Sequence, residues 1–376
     1  MYHSPYADVA WSMALRLKAQ HHDHVGFSEA KIRAYDLAGY NVIALLDYSG
    51  NPLMPQALRR RLWPPKDVLR DSFVASLGNV QLFVPGAEEV SDEIMHVTSP
   101  FLTQYIQRWD PSAGPKQRDE YETPTELREL ISAKGGDAVL AHPWHEHIEP
   151  TWAAKFKAME MYSAFAAVFY RNPVTEFMKT DRNAVMLAAW DKALALNSGL
   201  IGIAVNDHFG PLPDFAIEPD LRDSGKIIVL ADGNSLDAYR RAFESGAVLA
   251  IKDVGIVKDR YPVINRIVTT SSDVTIDTDG QVRWIAMGQV VGTGPRMQVS
   301  GLAAGTTYLR AEVRNTDGSV VYTQAFAIRQ IGDADGDGDV DDTDKQVCTM
   351  VQFGGERDPD RISACEESFA FTPLVN

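Results

Sequence analysis

Eight of the nine histidines in this chain fall in four short clusters: His21, His22 and His24 in QHHDH, His96 in IMHV, His142, His145 and His147 in AHPWHEH, and His208 in VNDHF. Most of these clusters sit where an apolar, strand-like run gives way to a polar turn. Three more run ends carry a carboxylate: Asp47 after NVIALL, Glu88 after NVQLFVPGA, and Asp207 beside His208. Imidazoles and carboxylates delivered together from separate strands are what a site needs to hold hydroxide-activating metal ions. The chain therefore reads as a metal-dependent hydrolase.

The motifs differ in specificity. In His22-x-His24 both side chains project from one face of a strand, because strand side chains alternate, so they can bind one ion or bridge to a second. Asp47 alone says little, since a strand-end Asp also caps helices and turns. Glu88 follows Pro85-Gly86-Ala87, where a solvated turn carboxylate is the bland alternative. His142 carries more, because an apolar run that ends in His and is stopped by Pro143 aims the imidazole at whatever lies above the sheet. Asp207 and His208 repeat that arrangement after GIAV. The combination of run ends, each bearing a ligand-type residue, points to a shared metal centre.

The elements that must deliver these residues show as an alternation over residues 1–255. Apolar runs (NVIALL, NVQLFV, DAVLAH, AMEMYS, LIGIAV, KIIVLA) are separated by segments with helical spacing, the pattern of βα units around a parallel sheet buried on both faces. Ser28 is a predicted N-cap with Gly39 as C-terminal glycine, Thr123 or Thr125 caps a second helix, and a third ends at Gly246. Residues 256–330 change to short alternating runs broken by Asp279-Gly280 and Asp317-Gly318, the hairpin signals of a small all-β sandwich. Its Trp284 and Tyr308 read as core, with carbohydrate stacking the alternative. Residues 331–376 form an acidic tail.

Composition narrows the partners. The net charge is −15, and residues 331–376 hold twelve Asp or Glu against three Lys or Arg. Neither portion offers a basic surface for a phosphate backbone, so nucleic acid is not expected as a partner. No stretch approaches the ~20 apolar residues of a membrane span. In the tail, Asp333, Asp335, Asp337, Asp341 and Asp344 place oxygen ligands at loop positions 1, 3, 5, 9 and 12, with Gly338 at the sharp turn and the backbone carbonyl of Asp339 at position 7. Calcium binding is expected there. Cys348 and Cys365, the only cysteines, both lie in the same tail, which fits a disulfide in an oxidising compartment, two free thiols being the alternative. An extracellular or secreted location follows as the expectation, although the first 20 residues show no signal peptide.

The order HxH (His22, His24), ALLD (Asp47), PGAE (Glu88), His96, AHP (His142), MEMYSA with Glu160, and VNDHF resembles the polymerase and histidinol phosphatase (PHP) superfamily, over roughly residues 10–255. The resemblance implies a distorted seven-stranded β/α barrel with its site at the carboxyl ends of the strands, divalent zinc, manganese or iron, and phosphate ester hydrolysis. Carried over by position, His22 and His24 bind one ion, Glu88 bridges, and His96 and His142 complete the second. Asp207 or Asn206, with His208, closes the first site, and Asp191 is a structural helix residue. The chain departs from the family at Tyr48 and Ala30, where histidines are usual, so one or two ions are expected instead of three. The calcium loop looks like one half of a dockerin-type repeat, which implies a surface-anchoring module.

The implied chemistry is attack by a metal-held water on phosphorus or on a carbonyl carbon of a small-molecule or carbohydrate-linked ester. His208, Asp207 or the loop histidine His145 serves proton transfer. Carboxyl esters and amides stay open as substrates because few cations flank the motifs, Arg171 and Lys252 being the candidates. A catalytically weak extracellular binding protein is the reading from another class.

Overall fold

The computed structural model describes residues 2–24, 28–46, 69–90, 95–106, 123–143, 149–171, 181–208, 223–270, 272–303 and 305–328, together with Gln346 and Cys348. It is a mixed α/β fold. In chain order the elements begin with β1 (Tyr2–His3), β2 (Leu15–Gln20), α1 (Glu29–Leu37), β3 (Val42–Leu45), α2 (Asp71–Val74), β4 (Leu82–Pro85), β5 (Glu88–Val90) and β6 (His96–Thr98). Next come α3 (Pro124–Ala133), β7 (Val139–Leu140), α4 (Pro150–Ala153), β8 (Ala158–Ser163), α5 (Ala164–Arg171), α6 (Arg182–Leu194), β9 (Ile201–Val205), β10 (Gly225–Ala231), α7 (Leu236–Glu244) and β11 (Val248–Lys252). The remaining strands are β12 (Ile264–Thr269), β13 (Asp273–Thr278), β14 (Gln281–Ala286), β15 (Gln289–Thr293), β16 (Arg296–Gln298), β17 (Tyr308–Arg314), β18 (Val320–Thr323) and β19 (Phe326–Ile328).

The helices start and stop where local chemistry directs. Ser28 accepts a hydrogen bond from the Lys31 N–H, Thr123 and Glu126 form a reciprocal capping box, and Ser235 caps α7. Gly39 and Gly246 follow α1 and α7 at φ 77°, a conformation that glycine adopts without a Cβ penalty. Strands β3, β8, β9 and β10 are buried along their whole length, as expected for runs covered on both faces. The one lysine in this set, Lys226 of β10, is held by Asp253 at 3.0 Å and by Asp223 and Asp259 at 3.3 Å. These carboxylates outweigh burial and raise its pKa.

The ladder hydrogen bonds do not close a seven-stranded barrel among the described residues. They form an 11-stranded sheet, in which β2, β3 and β4 run parallel and β10 is antiparallel to both β2 and β11, and a five-stranded sheet ordered β5-β6-β7-β8-β9. The chain passes from one sheet to the other at Gly86, where a Cβ would press to 2.6 Å on Leu46. Along the other seam β9 lies against β10 and β11, and side-chain amides replace the missing ladder. Gln324 bonds both Gly202 N and O (2.7 and 2.9 Å) and also reaches Val248 O (3.2 Å). Gln20 accepts from Asn206 N at 3.3 Å and donates to Gly225 O at 2.9 Å. At this seam the start of β10 presses closely on the end of β9: a Cβ on Gly225 would lie 1.8 Å from Val205 O.

Residues 256–330 contribute to both a separate and a shared sheet. Strands β12, β13 and β16 form a three-stranded sheet, whereas β18 pairs with β11 and so extends the large one. Ile267, Val274 and Ile276 pack into the same core as Trp284 and Val313. Trp284 and Tyr308 are fully buried, so both rings are core. Asp317-Gly318 lies in the β17–β18 hairpin, but Asp279-Gly280 carries the chain from β13 into β14, which pairs with β15 and β17 instead. The β14–β15 turn is made by Met287 and Gly288, both at positive φ as that hairpin geometry requires. No helix of the described residues is long and apolar enough to cross a membrane.

Candidate metal centre

The site sits at the carboxyl ends of β2, β7 and β9 and at the starts of β5 and β6. His22 and His24 lie just past β2, whose end is pinned by Gln20 as its Oε1 accepts from His22 N at 3.3 Å. His21, between them and the strand, turns into the core: its Nε2 is 2.6 Å from the Tyr239 hydroxyl and its ring stacks on Phe243. Burial pushes its pKa down to about 3, so it stays neutral. Glu88 of β5 lies opposite Thr98 and His96 of β6 opposite Val90, so Glu88 and His96 are diagonal neighbours on one face of this antiparallel pair, and their side chains meet. His142 follows β7 at φ 28°, and Asp207 follows β9 at φ 56°.

These six side chains converge. Glu88 Oε2 is 3.4 Å from His22 Nε2 and 3.5 Å from His24 Nε2, while Asp207 Oδ1 is 3.4 and 3.3 Å from the same two nitrogens. The other Glu88 oxygen, Oε1, is 2.5 Å from His96 Nδ1 and 3.5 Å from His142 Nε2. Three overlapping donor sets result: His22, His24 and Glu88; His22, His142 and Asp207; and Glu88, His96 and His142, with the donor atoms of each set within 4.8 Å of one another. Glu88 thus presents one oxygen to each half of the cluster.

The electrostatics match a place built for positive charge. Burial works against charge on His22, but Asp207, Glu160 and Glu88 outweigh it and raise that imidazole well above its ordinary range. Burial is likewise overcome at His142, which Glu88, Asp207 and Glu160 raise. It is overcome at Glu88 too, which His22, His142 and His96 hold well below the usual carboxylate range. Asp207 is lowered in the same way by His22, His24 and His142. Among the described residues, two fully buried atoms, His22 Nε2 and Glu88 Oε2, have no hydrogen-bond partner. Buried polar atoms are nearly always satisfied, and these two face each other at 3.4 Å. A mixed imidazole and carboxylate set suits zinc, manganese or iron(II), so the residues present fit a divalent ion.

A polar layer lies behind the donors. Glu160 of β8 bonds His22 Nδ1 at 2.6 Å through Oε1, and its Oε2 accepts the His142 backbone N–H at 2.7 Å. Lys31 of α1 donates to Asp23 Oδ1 at 2.9 Å, to His24 O at 3.0 Å and to His208 O, tying the end of β2 to that of β9. Asp23 also accepts from His208 N at 2.7 Å and from the Tyr35 hydroxyl.

Of the residues singled out in the sequence, His22, His24, Glu88, His96, His142 and Asp207 are brought together. Asn206 is not a donor to this cluster, because its amide bonds Tyr35 Oη at 3.2 Å, Asp223 Oδ1 at 3.1 Å and Gly225 N at 3.0 Å. Of the two neighbours, Asp207 is the one whose carboxylate stands among the candidate donors. The buried His208 ring joins none of the three donor sets. Asp47, Tyr48, His145, His147, Cys365 and the six aspartates Asp333, Asp335, Asp337, Asp339, Asp341 and Asp344 lie outside the described residues. Cys348 is buried and disulfide-bonded. The sequence alone assigns no role to Gln20, Lys31 or Glu160, although Glu160 is the sole charged residue in the apolar run AMEMYS.

No family model matches the chain, and no curated protein matches it. Among solved structures it is similar to a two-domain protein from Bacteroides vulgatus containing a predicted PHP-like metal-dependent phosphoesterase. The two are 14% identical over 85% of this chain and 96% of that one, with a TM-score of 0.44.

Proposed function

We propose that this chain is a metal-dependent hydrolase whose substrate is a phosphoester and whose centre holds one or two divalent transition ions. The observation that supports the reading is the bridging position of Glu88, with one buried oxygen toward His22 and His24 and the other toward His96 and His142. His22, His24, Glu88 and Asp207 would hold one ion, and Glu88, His96 and His142 the other. Bound there, divalent ions supply acidified water and positive charge against the negative charge that develops in hydrolysis. Zinc, manganese and iron are the ions of choice for such donors.

The chain's own residues fix the rest. Lys31 and Gln20 hold the loop ends from which His22, His24 and Asp207 project, so the donors are positioned before any ligand arrives. Lys252 ends β11 opposite Gly225, with its Nζ 5.8 Å from the centre of the Tyr162 ring, and supplies a cation at this end of the sheet for an anionic substrate. His208 is the proposed proton donor to the leaving group. The PHP-type assignment and the calcium-binding, surface-anchoring, extracellular tail belong to the same proposal and rest on the motif order and on the acidic loop.

Metal analysis together with a chromogenic panel tests it. Near-stoichiometric zinc, manganese or iron, lost in His22→Ala and Glu88→Ala, and hydrolysis of phosphomonoester or phosphodiester substrates are expected. Turnover confined to acetate ester or anilide moves the substrate to carboxyl esters or amides. Wild-type protein that takes up no transition metal and cleaves nothing rejects the enzyme reading.

A further inference from the structure

We infer that Glu160 is the positioning residue that couples the two halves of the centre, orienting the imidazole of His22 through one oxygen and the backbone of His142 through the other; the inference rests on the metal-centre reading above. Glu160 is fully buried, and the β8–β9 register slips by one residue between Glu160 and Tyr162. A bulge of this kind re-aims a side chain out of the regular alternation.

Each contact has a distinct consequence. A carboxylate only accepts, so the 2.6 Å contact places a proton on His22 Nδ1. In a neutral imidazole the lone pair is then on Nε2, the atom that lies 3.4 Å from both Glu88 Oε2 and Asp207 Oδ1. The second contact, 2.7 Å from the His142 N–H, holds a non-glycine residue at φ 28°, a backbone that L residues rarely adopt. That conformation sets His142 Nε2 3.5 Å from Glu88 Oε1. One carboxylate therefore fixes a side-chain tautomer on one half and a main-chain turn on the other.

Glutamine has the same shape but cannot do both, because its amide has one accepting oxygen and one donating nitrogen. If the oxygen serves His142, the NH₂ faces His22 Nδ1 and drives the imidazole proton to Nε2, removing the metal-binding lone pair. If the oxygen serves His22, two donors oppose each other at His142.

The experiment measures zinc affinity of wild type and Glu160→Gln by competition with a chromophoric chelator, with thermal melting of both metal-free proteins alongside. It also reads ¹⁵N histidine resonances of the zinc-loaded wild type. Zinc affinity about 10- to 100-fold weaker in the variant is expected, the usual cost of losing such a partner. The His22 resonances should show zinc on Nε2 and a proton on Nδ1, a readout that a merely structural role would not move and that needs no variant. Wild-type zinc affinity in Glu160→Gln, or zinc on His22 Nδ1, overturns the inference alone. Failure of the wild type itself to take up zinc overturns the metal centre and this inference with it.

Discussion

Asp207 donates its backbone N–H to the carbonyl of His22 at 2.9 Å and places its own Oδ1 3.4 Å from the Nε2 of that histidine. The ends of β9 and β2 therefore grip each other by main chain while they aim two donors at one point. The grip requires φ 56° at Asp207, a left-handed backbone that Asp and Asn tolerate better than other non-glycine residues. Asp207→Asn keeps that backbone and removes only the charge. It is expected to leave far-UV circular dichroism unchanged and to weaken zinc binding by on the order of 100-fold, read by chelator competition. Undiminished zinc affinity would remove Asp207 from the donor set.

The same cluster fixes how stability should follow pH. His22 and His142 are raised in the folded protein, so their contribution is present below the ordinary imidazole value of about 6.5 and is lost as pH rises through their raised values. Glu88 and Asp207 are lowered, so theirs is present above the ordinary carboxylate value of about 4 and is lost as pH falls through their lowered values. The metal-free protein should lose stability from pH 6 toward alkaline pH. Zinc competes with the imidazole protons, so its stabilising effect should grow over the same interval. Melting with and without zinc at about pH 6 and about pH 8 checks this: at 100 times the dissociation constant the gain is about 2.7 kcal/mol. A zinc-induced rise in Tm that is smaller at the higher pH contradicts it.

How far the site was legible depended on whether a signal was local. The HxH spacing marks His22 and His24 as a pair, although the structure sets both just past the end of β2 and not on the strand, and His142 is marked by the apolar run that Pro143 stops; both signals are properties of a few adjacent residues. The choice between Asn206 and Asp207 was not local, since it turns on Tyr35, Asp223 and Gly225, which occupy the Asn206 amide from other elements. Glu160 carries a faint signal as a lone charge in a buried strand, but its partners are contributed by the segment just past β2 and by the turn after β7. The seam between the two sheets was hidden for a related reason. It is stitched by the side chains of Gln20 and Gln324, and periodicity reports strands, not which pairs of strands exchange ladder bonds. Asp279-Gly280 shows the same limit, being a true turn signal that is silent about the strand on its far side.

Arg310 of β17 holds Asp191 of α6 through two contacts of 2.7 Å and Glu312 through one of 3.1 Å. All three are buried or nearly so, and Arg310 is about 1% exposed. Removing the cation leaves Asp191 with only the Tyr308 hydroxyl at 2.7 Å among the described residues, while Glu312 keeps Arg314 at 2.6 Å, whereas Asp191→Asn leaves Arg310 still paired with Glu312. Breaking a buried pair by deleting one partner costs about 3–5 kcal/mol. Arg310→Met should reach that range in urea unfolding, and Asp191→Asn should cost less. Equal losses would mean that the Glu312 contact contributes nothing. Zinc affinity of folded Asp191→Asn should match wild type, consistent with a structural role for Asp191.

Gly225 tests the seam itself. A Cβ there would lie 1.8 Å from Val205 O and 2.8 Å from Val205 N, both backbone atoms that cannot rotate away, so β9 and β10 must part to admit it. At Gly39, by contrast, a Cβ meets nothing within 4 Å, and only the left-handed backbone at φ 77° opposes it. Gly39→Ala should therefore cost roughly 1–2 kcal/mol, while Gly225→Ala should cost about 3 kcal/mol or more as an overpacked site. The two variants should also differ in metal binding. Separation of β9 from β10 breaks the hydrogen bond from Gly225 N to Asn206 Oδ1, releasing the turn that aims Asp207. Gly225→Ala that still folds should thus bind zinc more weakly, and Gly39→Ala should bind it as wild type does. Equal stability losses in the two variants, or unaltered zinc affinity in Gly225→Ala, would show that the close approach of these strands does not hold the donors in place.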